Sequence, residues 1–368
     1  MKKIFQEYYT LDKSQYIDLW KNAFFIFDTN IFLNLYRYSS ETRDTWFYIL
    51  EQLKERLWMP YQIGFEYHEN RIAVISEVES VFDKTEKIIK DCEEKIQKEV
   101  KSMRYPSWEN ASNSKILNVI ESSFKDILKS IENDKAKHPN LIENDFIMKR
   151  ISEIYLGKVG NLYTDEQIKY IFNDGRLRYE KHIPPGYMDA DKKDEQEKYG
   201  DLIIWKQIID KVLTSSKPII FITDDVKEDW WKIVKGKTIG ARVELIKEFY
   251  DETEQVFYMY TSGRFIKYLD EYLGISVNNK VKDEIEVLGE TINTPLTERE
   301  VEVLMQVMKG KCNSEISKKL YISHHTVMAH LSSIMRKLKA ESRSEALLKY
   351  MKMYEWNQKN VQKDDNDT

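Results

Sequence analysis

Two short apolar runs stop on aspartate, and this pattern constrains the fold more than any other feature of the chain. Phe24-Phe25-Ile26-Phe27 leads straight into Asp28-Thr29-Asn30, and Pro218-Ile219-Ile220-Phe221-Ile222-Thr223 leads into Asp224-Asp225. A continuous apolar run of roughly four to eight residues fits a strand buried on both faces, as in a parallel sheet. Leu57-Trp58-Met59 before Pro60 and Gln255–Tyr260 add a short second strand and a fourth. Helical stretches separate these runs, and strand–helix alternation implies an α/β fold, a parallel sheet flanked by helices.

Between about residues 76 and 180 the strand signals vanish. Val81–Val100 reads as a charged helix with Ile88, Ile89, Ile96 and Val100 spaced for one face. Residues 115–155 give two further amphipathic stretches, parted near His138-Pro139-Asn140. The expectation is a helical insertion that packs on the sheet edge or pairs with another subunit in a homo-oligomer. Residues 276–293 are polar and charged without a firm period and read as a linker, which closes a first domain at 1–275. A second domain covers 294–353, and 354–368 reads as a disordered tail.

At ~150 residues per domain, a chain of 368 residues has room for this division. No apolar run approaches the ~20 residues of a membrane span, and charge interrupts the N-terminus before a signal-peptide core can form. Cys92 and Cys312 are too few for a disulfide framework or a cysteine-rich zinc site. A soluble, cytoplasmic protein with no membrane partner is expected.

The net charge of −5 discourages a nucleic-acid partner until it is divided. Residues 294–353 hold 11 Lys and Arg against 6 Asp and Glu, residues 354–368 hold 2 against 4, and so 1–293 carry −8. A basic C-terminal module sits on an acidic body.

Several carboxylates of that body fall at special places. Asp28 follows the first strand, at the sheet edge where ligands collect in parallel sheets. Glu66 lies in the helix after Pro60 and shares a face with Ile63 and Ala73, Asp201 opens a helix in line with Trp205, Ile208 and Val212, and Asp225 ends the strongest strand beside Asp224. Singly, Asp28 could cap a turn, Asp201 a helix, and Asp225 an Asx-turn. An inward-facing Glu in a helix interior is rarer. Two carboxylates ~4 Å apart repel by ~1 kcal/mol in water and ~4 kcal/mol at an effective dielectric of 20. Four on one edge therefore call for protons or a cation. Oxygen donors without His or Cys select Mg²⁺ or Mn²⁺ over zinc. Such an ion can activate water at a phosphodiester, so an acidic body suits a metal-dependent nuclease.

Phe25-Ile26-Phe27-Asp28-Thr29-Asn30, Tyr199-Gly200-Asp201-Leu202 and Phe221-Ile222-Thr223-Asp224-Asp225 resemble the strand and helix segments of PIN-domain nucleases. The likeness is to the PIN-like branch that also carries Pro184-Pro185-Gly186-Tyr187 and Glu228-Asp229-Trp230-Trp231, and it covers roughly residues 20–275 outside the insertion. It implies that Asp28, Glu66, Asp201 and Asp225 take the four acidic positions, with Asp224 an alternative to Asp225. Asp189 adds a further acid or marks a loop at the rim. Thr29 and Asn30 resemble the residues that steady the first Asp, and Thr223 the hydroxyl near the last. The resemblance implies single-stranded RNA as the substrate class. Trp230-Trp231 invites base stacking but equally suits packing under the sheet. Nothing in the sequence ties Arg178 or Arg242 to the site.

The C-terminal module opens on a capping box, Thr297-Glu298-Arg299-Glu300. Val301, Leu304, Met305 and Met308 are spaced for one helical face, and Gly310 marks a stop. A short helix follows Asn313 with Ile316 and Leu320 inward, then a turn at Tyr321-Ile322-Ser323. A third helix carries Val327, Leu331, Ile334 and Leu338, and Glu345–Met351 a fourth. This is an all-α helix-turn-helix pattern. Leu296–Glu300, Asn313–Ile316, Ser323, Thr326-Val327, His330 and Arg336-Lys337-Leu338 resemble the LuxR-type DNA-binding domain. The family commonly has Lys after Thr-Val, where this chain has Met328. The expected DNA face is His325, Thr326, Met328, Ala329 and Ser332, with Arg336, Lys337, Lys318 and Lys319 on phosphates. Since Ser323–Met335 holds no Lys or Arg, that face should bind DNA weakly, or read it through histidines and apolar contacts.

The leading expectation is thus a Mg²⁺- or Mn²⁺-dependent endoribonuclease with a helix-turn-helix for DNA targeting or docking. The alternatives are a transcription regulator with a non-catalytic PIN-like body for sensing or oligomerisation, and a DNA nuclease in phage defence.

Overall fold

The computed structural model describes residues 1, 5–102, 112–234, 237–292, 296, 298–338, 340 and 342–350. Three strands, β1 (Phe24–Phe27), β2 (Ile219–Ile222) and β5 (Phe257–Tyr260), form a parallel sheet in the order β1-β2-β5. Phe25 pairs with Ile220 and Ile220 with Tyr258, so side chains in register share a face. One face presents Phe25 and Phe27 to α1 (Lys13–Asn22), α3 (Ser40–Gln52) and α11 (Ser262–Leu273), where Phe265 meets Trp20, Phe27 and Trp46 at ring distances of 5.6, 5.4 and 6.2 Å. On the other face Phe221 and Phe257 pack with Trp205 of α9 (Gly200–Ser215), Trp230 and Phe249 of α10 (Val243–Thr253). Large aromatic rings on both faces exclude water from the strands, which is why their sequences are apolar throughout rather than alternating.

The sequence expectation of an α/β fold with a parallel sheet, followed by a helical module, matches this architecture. The short second strand does not form. Leu57 and Met59 make isolated bridges to Phe25 and Val159, because Pro60 has no N–H to extend a ladder and α4 (Tyr61–Ser102) begins at once. A hairpin of β3 (Trp231–Val234) and β4 (Lys237–Ala241) was not foreseen. Among the described residues between α2 (Thr29–Asn34) and α9, the α-helices are α3, α4, α5 (Ser112–Lys137), α6 (Phe146–Ile154), α7 (Asp165–Glu180) and α8 (Glu195–Lys198). The 42-residue α4 extends about 63 Å at 1.5 Å per residue and packs along α5.

Residues 276–293, read above as a linker, contain α12 (Asn279–Ile292). Val281 and Ile285 are fully buried in the main core, and Glu284 accepts hydrogen bonds from Ser39 N (2.6 Å), Ser39 Oγ (2.7 Å) and Thr42 Oγ1 (2.5 Å). The buried stripe is narrow and framed by Lys and Glu, so its period is faint in the sequence.

The C-terminal module has its own apolar cluster, built by α13 (Glu298–Met308), α14 (Asn313–Leu320) and α15 (His324–Lys337) with a helical stretch at 343–350. Ile316, Val327, Leu331, Ile334 and Leu338 are inward as expected. In the first helix Leu304 is buried as expected, together with Val303 and Val307; Val301 and Met305 are half-buried, and Met308 is exposed. Tyr321 makes the turn in the left-handed region (φ 54°), and Ser323 Oγ caps α15 through Thr326 N (3.0 Å). Thr297, Met351 and the 354–368 tail lie outside the described residues. Among the described residues no helix is long and apolar enough to cross a membrane.

Because α12 belongs to the core, Ile285→Ala should destabilise the body by about 2–5 kcal/mol, read as a lower urea midpoint. A tethering linker would show no change.

Candidate functional site

The parallel register brings the ends of β1 and β2 side by side, and Asp28 N donates to Ile222 O (2.9 Å). Asp28 Oδ1 accepts the Thr29 N–H (2.7 Å), while Oδ2 accepts the Asn30 amide (2.6 Å) and the Thr223 hydroxyl (2.6 Å). Asn30 Oδ1 in turn accepts the Asp224 N–H (3.1 Å), and Thr223 Oγ1 the Asp225 N–H (2.9 Å). Thr29, Asn30 and Thr223 therefore lock the two acidic strand ends together. Burial pushes the Asp28 carboxyl up to about 7; the Thr223 hydroxyl opposes the shift, and the nearby charges of Glu66 and Asp225 add to it.

Glu66 reaches the same edge from α4. Its Oε2 accepts the Thr29 hydroxyl (2.9 Å) and its Oε1 the Gln62 amide (3.0 Å). Burial raises its pKa against those two hydrogen bonds. Ile63, Tyr67 and Val74 are the buried residues of that helix face, whereas Ala73 is exposed. The N-terminus of α9 approaches so closely that a Cβ on Gly200 would stand 2.8 Å from Glu66 Oε1. This close approach is the physical reason for glycine in Tyr199-Gly200-Asp201, and it brings the first turn of α9 against Glu66.

Asp201, Asp225 and Asp189 surround one ammonium. Lys227 Nζ lies 3.0 Å from Asp225 Oδ2, 3.1 Å from Asp189 Oδ2 and 3.8 Å from Asp201 Oδ2. Asp201 Oδ2 is buried and has no hydrogen-bond partner. Burial lifts the Asp201 pKa well above the usual carboxylate range; Lys227 opposes this, and Asp225, Asp229 and Asp189 add to it. Burial alone would lower the Lys227 pKa, but the charges of Asp201, Asp225 and Asp189 raise it. Among the described residues no group of three or more His, Cys, Asp or Glu side chains is arranged to hold a metal ion as it stands.

Asp224, the alternative to Asp225, points elsewhere. Its Oδ1 accepts the Ser262 N–H at the start of α11 (2.9 Å), and α12 lies against it at Gly289, where a Cβ would come within 3.4 Å of the carboxyl. Its place is thus at the junction with α11 and α12. Trp230 and Trp231 are buried, so neither is free to stack on bases; Trp231 donates its indole N–H to the Asp225 carbonyl. Arg178 is buried against Glu248, and Arg242 pairs with Glu244.

Sequence reasoning passed over three residues of this site. Gln62 lies four residues before Glu66 on the same helix face, a spacing that could have revealed it. Asp229 is fully buried, and its Oδ2 accepts the N–H groups of Gly186 (3.0 Å) and Met188 (3.1 Å), which fixes the loop carrying Asp189. Lys227, in the loop after β2, gave no linear signal.

In the helix-turn-helix, His324, His325, Met328, Ala329 and Ser332 are exposed on α15, Thr326 is half-buried, and Lys318 and Lys319 are exposed on α14. The side chains of Arg336 and Lys337 lie outside the described residues.

Residues 24–245 match the family model of the PIN-like domain, and residues 294–350 that of the bacterial regulatory proteins of the luxR family. The chain is 28% identical over 144 residues to an uncharacterized transcriptional regulatory protein, YxjL, of Bacillus subtilis, covering 37% of this chain and 61% of that protein. It is 30% identical over 147 residues to the oxygen regulatory protein NreC of Staphylococcus carnosus, covering 39% and 65%. To the transcriptional regulatory protein LnrK of Bacillus subtilis it is 32% identical over 149 residues, covering 38% and 66%. The chain thus spans less than two thirds of the length of these relatives. No solved structure matches.

A carboxyl held at about 7 instead of its ordinary 3.8 keeps its proton in the folded chain while the unfolded chain ionises. Stability should therefore fall as pH rises through that window and level off above it. In metal-free buffer, Asp28→Asn should flatten part of this slope, the rest coming from Glu66 and Asp201, whose pKa values burial also raises. Parallel melting curves for the two proteins across the window would contradict the assignment.

Proposed function

Since the chain belongs to the PIN-like domain family and carries a luxR-family module behind that domain, we propose that it is a divalent-metal-dependent endonuclease acting on RNA, with a helix-turn-helix that docks it to DNA. One observation carries this reading: Asp28, Glu66, Asp201 and Asp225, from four separate segments, gather at the C-terminal edge of the sheet with Asp189 beside them.

The donor set fits a Mg²⁺ or Mn²⁺ ion. All the donors are carboxylate oxygens, the hard ligands such ions take. Burial leaves the ionised forms of Asp28, Glu66 and Asp201 short of solvation, which is why their pKa values are raised. A cation would supply the missing counter-charge, as it would at the unpartnered Asp201 oxygen. Asp28, Glu66, Asp201 and Asp225 would hold it. When bound, such an ion lowers the pKa of water and offsets charge on a phosphodiester. The chain's own part is to aim and hold: Thr223 and Asn30 orient Asp28, Thr29 and Gln62 orient Glu66, and the Trp231 indole steadies the backbone at Asp225. RNA as substrate follows from the family resemblance, because carboxylates at a phosphodiester serve RNA and DNA alike.

The regulator reading has one observation of its own. Lys227 already offsets part of the acidic charge, so the body can stand without an ion, and the named relatives are regulators. The helix-turn-helix serves either reading, since α15 exposes a face of histidines and small residues beside Lys318 and Lys319.

Purified protein challenged with RNA and DNA pools separates these readings. RNA should be cut with Mn²⁺ and spared with EDTA, and Asp28→Asn should slow cutting by about 100-fold or more. Cleavage of DNA alone would favour the DNA nuclease, and promoter binding at low salt without cleavage the regulator. Wild-type rates from Asp28→Asn would sink the mechanism.

A further inference from the structure

Lys227 raises a question that the nuclease reading leaves open. Its ammonium contacts Asp225 and Asp189 at 3.0 and 3.1 Å, but its 3.8 Å separation from Asp201 Oδ2 is too long for a hydrogen bond. Lys192 also pairs with Asp189, so Asp201 and Asp225 share the Lys227 ammonium, and the Asp201 oxygen has no hydrogen-bond partner. A Mg²⁺-sized ion would draw carboxylate oxygens to ~2.1 Å. The ammonium and such an ion cannot share that space.

The surroundings let the ammonium leave without disturbing the fold. The backbone of the loop is pinned by its own contacts: Lys227 N donates to Asp225 Oδ1 (3.0 Å), and Trp231 holds the Asp225 carbonyl. The Lys227 side chain is 33% exposed, so its flexible stem has a path to solvent. Lys192, whose Nζ also lies 3.1 Å from Asp189 Oδ2, shows that an ammonium can sit at the outer rim of the same group.

We infer that Lys227 is an internal competitor for the cation: its ammonium and a divalent ion held by Asp28, Glu66, Asp201 and Asp225 engage the carboxylates of Asp201 and Asp225 in turn, and this exchange sets the affinity of the site. The inference rests on the metal-dependent reading above. In the ion-free state Lys227 offsets the carboxylates; in the ion-bound state it turns outward. The site would then fill only above a threshold of free metal.

The test is calorimetric titration of Mn²⁺ into the full chain, comparing wild type with Lys227→Met and Lys227→Gln. Both variants should bind Mn²⁺ about tenfold or more tightly than wild type. A second measurement needs no variant: Mn²⁺ should increase labelling of Lys227 by an amine-reactive reagent, read by mass spectrometry. Equal or weaker Mn²⁺ binding by the variants, or labelling that Mn²⁺ leaves unchanged or suppresses, overturns the competition while wild-type binding still supports the metal reading. If neither wild type nor variant binds Mn²⁺, the metal reading falls and the competition with it.

Discussion

The hydroxyl of Thr223, 2.6 Å from Asp28 Oδ2, is the contact on which the candidate site depends. It joins the last atoms of two strands that are far apart in sequence. The same oxygen accepts the Asp225 N–H, so one side chain fixes both acidic strand ends. Asn30 repeats the link from the other side through Asp28 Oδ2 and the Asp224 N–H. This clasp is possible because β1 and β2 pair in parallel and end flush, Phe27 opposite Ile222. The aromatic layers on both faces of the sheet hold that register.

Gathering carboxylates opposes folding, and the structure meets the cost with local hydrogen bonds and two lysines, Lys227 and Lys192. Thr29 and Gln62 steady Glu66, Gly200 gives it room, and Asp229 fixes the loop that carries Asp189. Burial nevertheless raises the pKa values of Asp28, Glu66 and Asp201. Buried carboxyls with shifted pKa values cluster at functional sites, which is what makes this edge the candidate. The surrounding core is conventional: Trp230 and Trp231 are both buried, and Trp230 packs against Trp205 and Phe221.

Much of this was legible in the sequence, for physical reasons. A strand buried on both faces must be apolar throughout, so its end is sharp, and an acid placed there is conspicuous. Asp28 and Asp225 were visible for that reason, and Glu66 because a carboxylate on an apolar helix face is unusual. Asp224 could not be separated from Asp225 by pattern, since the chain leaves regular structure there and the Ser262 N–H that takes Asp224 belongs to a distant helix. Lys227 was hidden because nothing local dictates where a long side chain in a loop will point. The helix Asn279–Ile292 was missed because Val281 and Ile285 form too thin a stripe among charged neighbours. In the helix-turn-helix the buried positions of α15 were readable, whereas in its first helix Leu304 was read correctly but Val303 and Val307, rather than Met308, complete the buried face.

The central claim is that the carboxylates at this sheet edge form one cation-binding centre. Anomalous diffraction from crystals soaked in Mn²⁺ tests it directly. The account predicts a peak bounded by Asp28, Glu66, Asp201 and Asp225, with the Lys227 ammonium moved away from Asp201. Well-diffracting crystals that show no peak there, with Lys227 still seated among Asp189, Asp201 and Asp225, would contradict it.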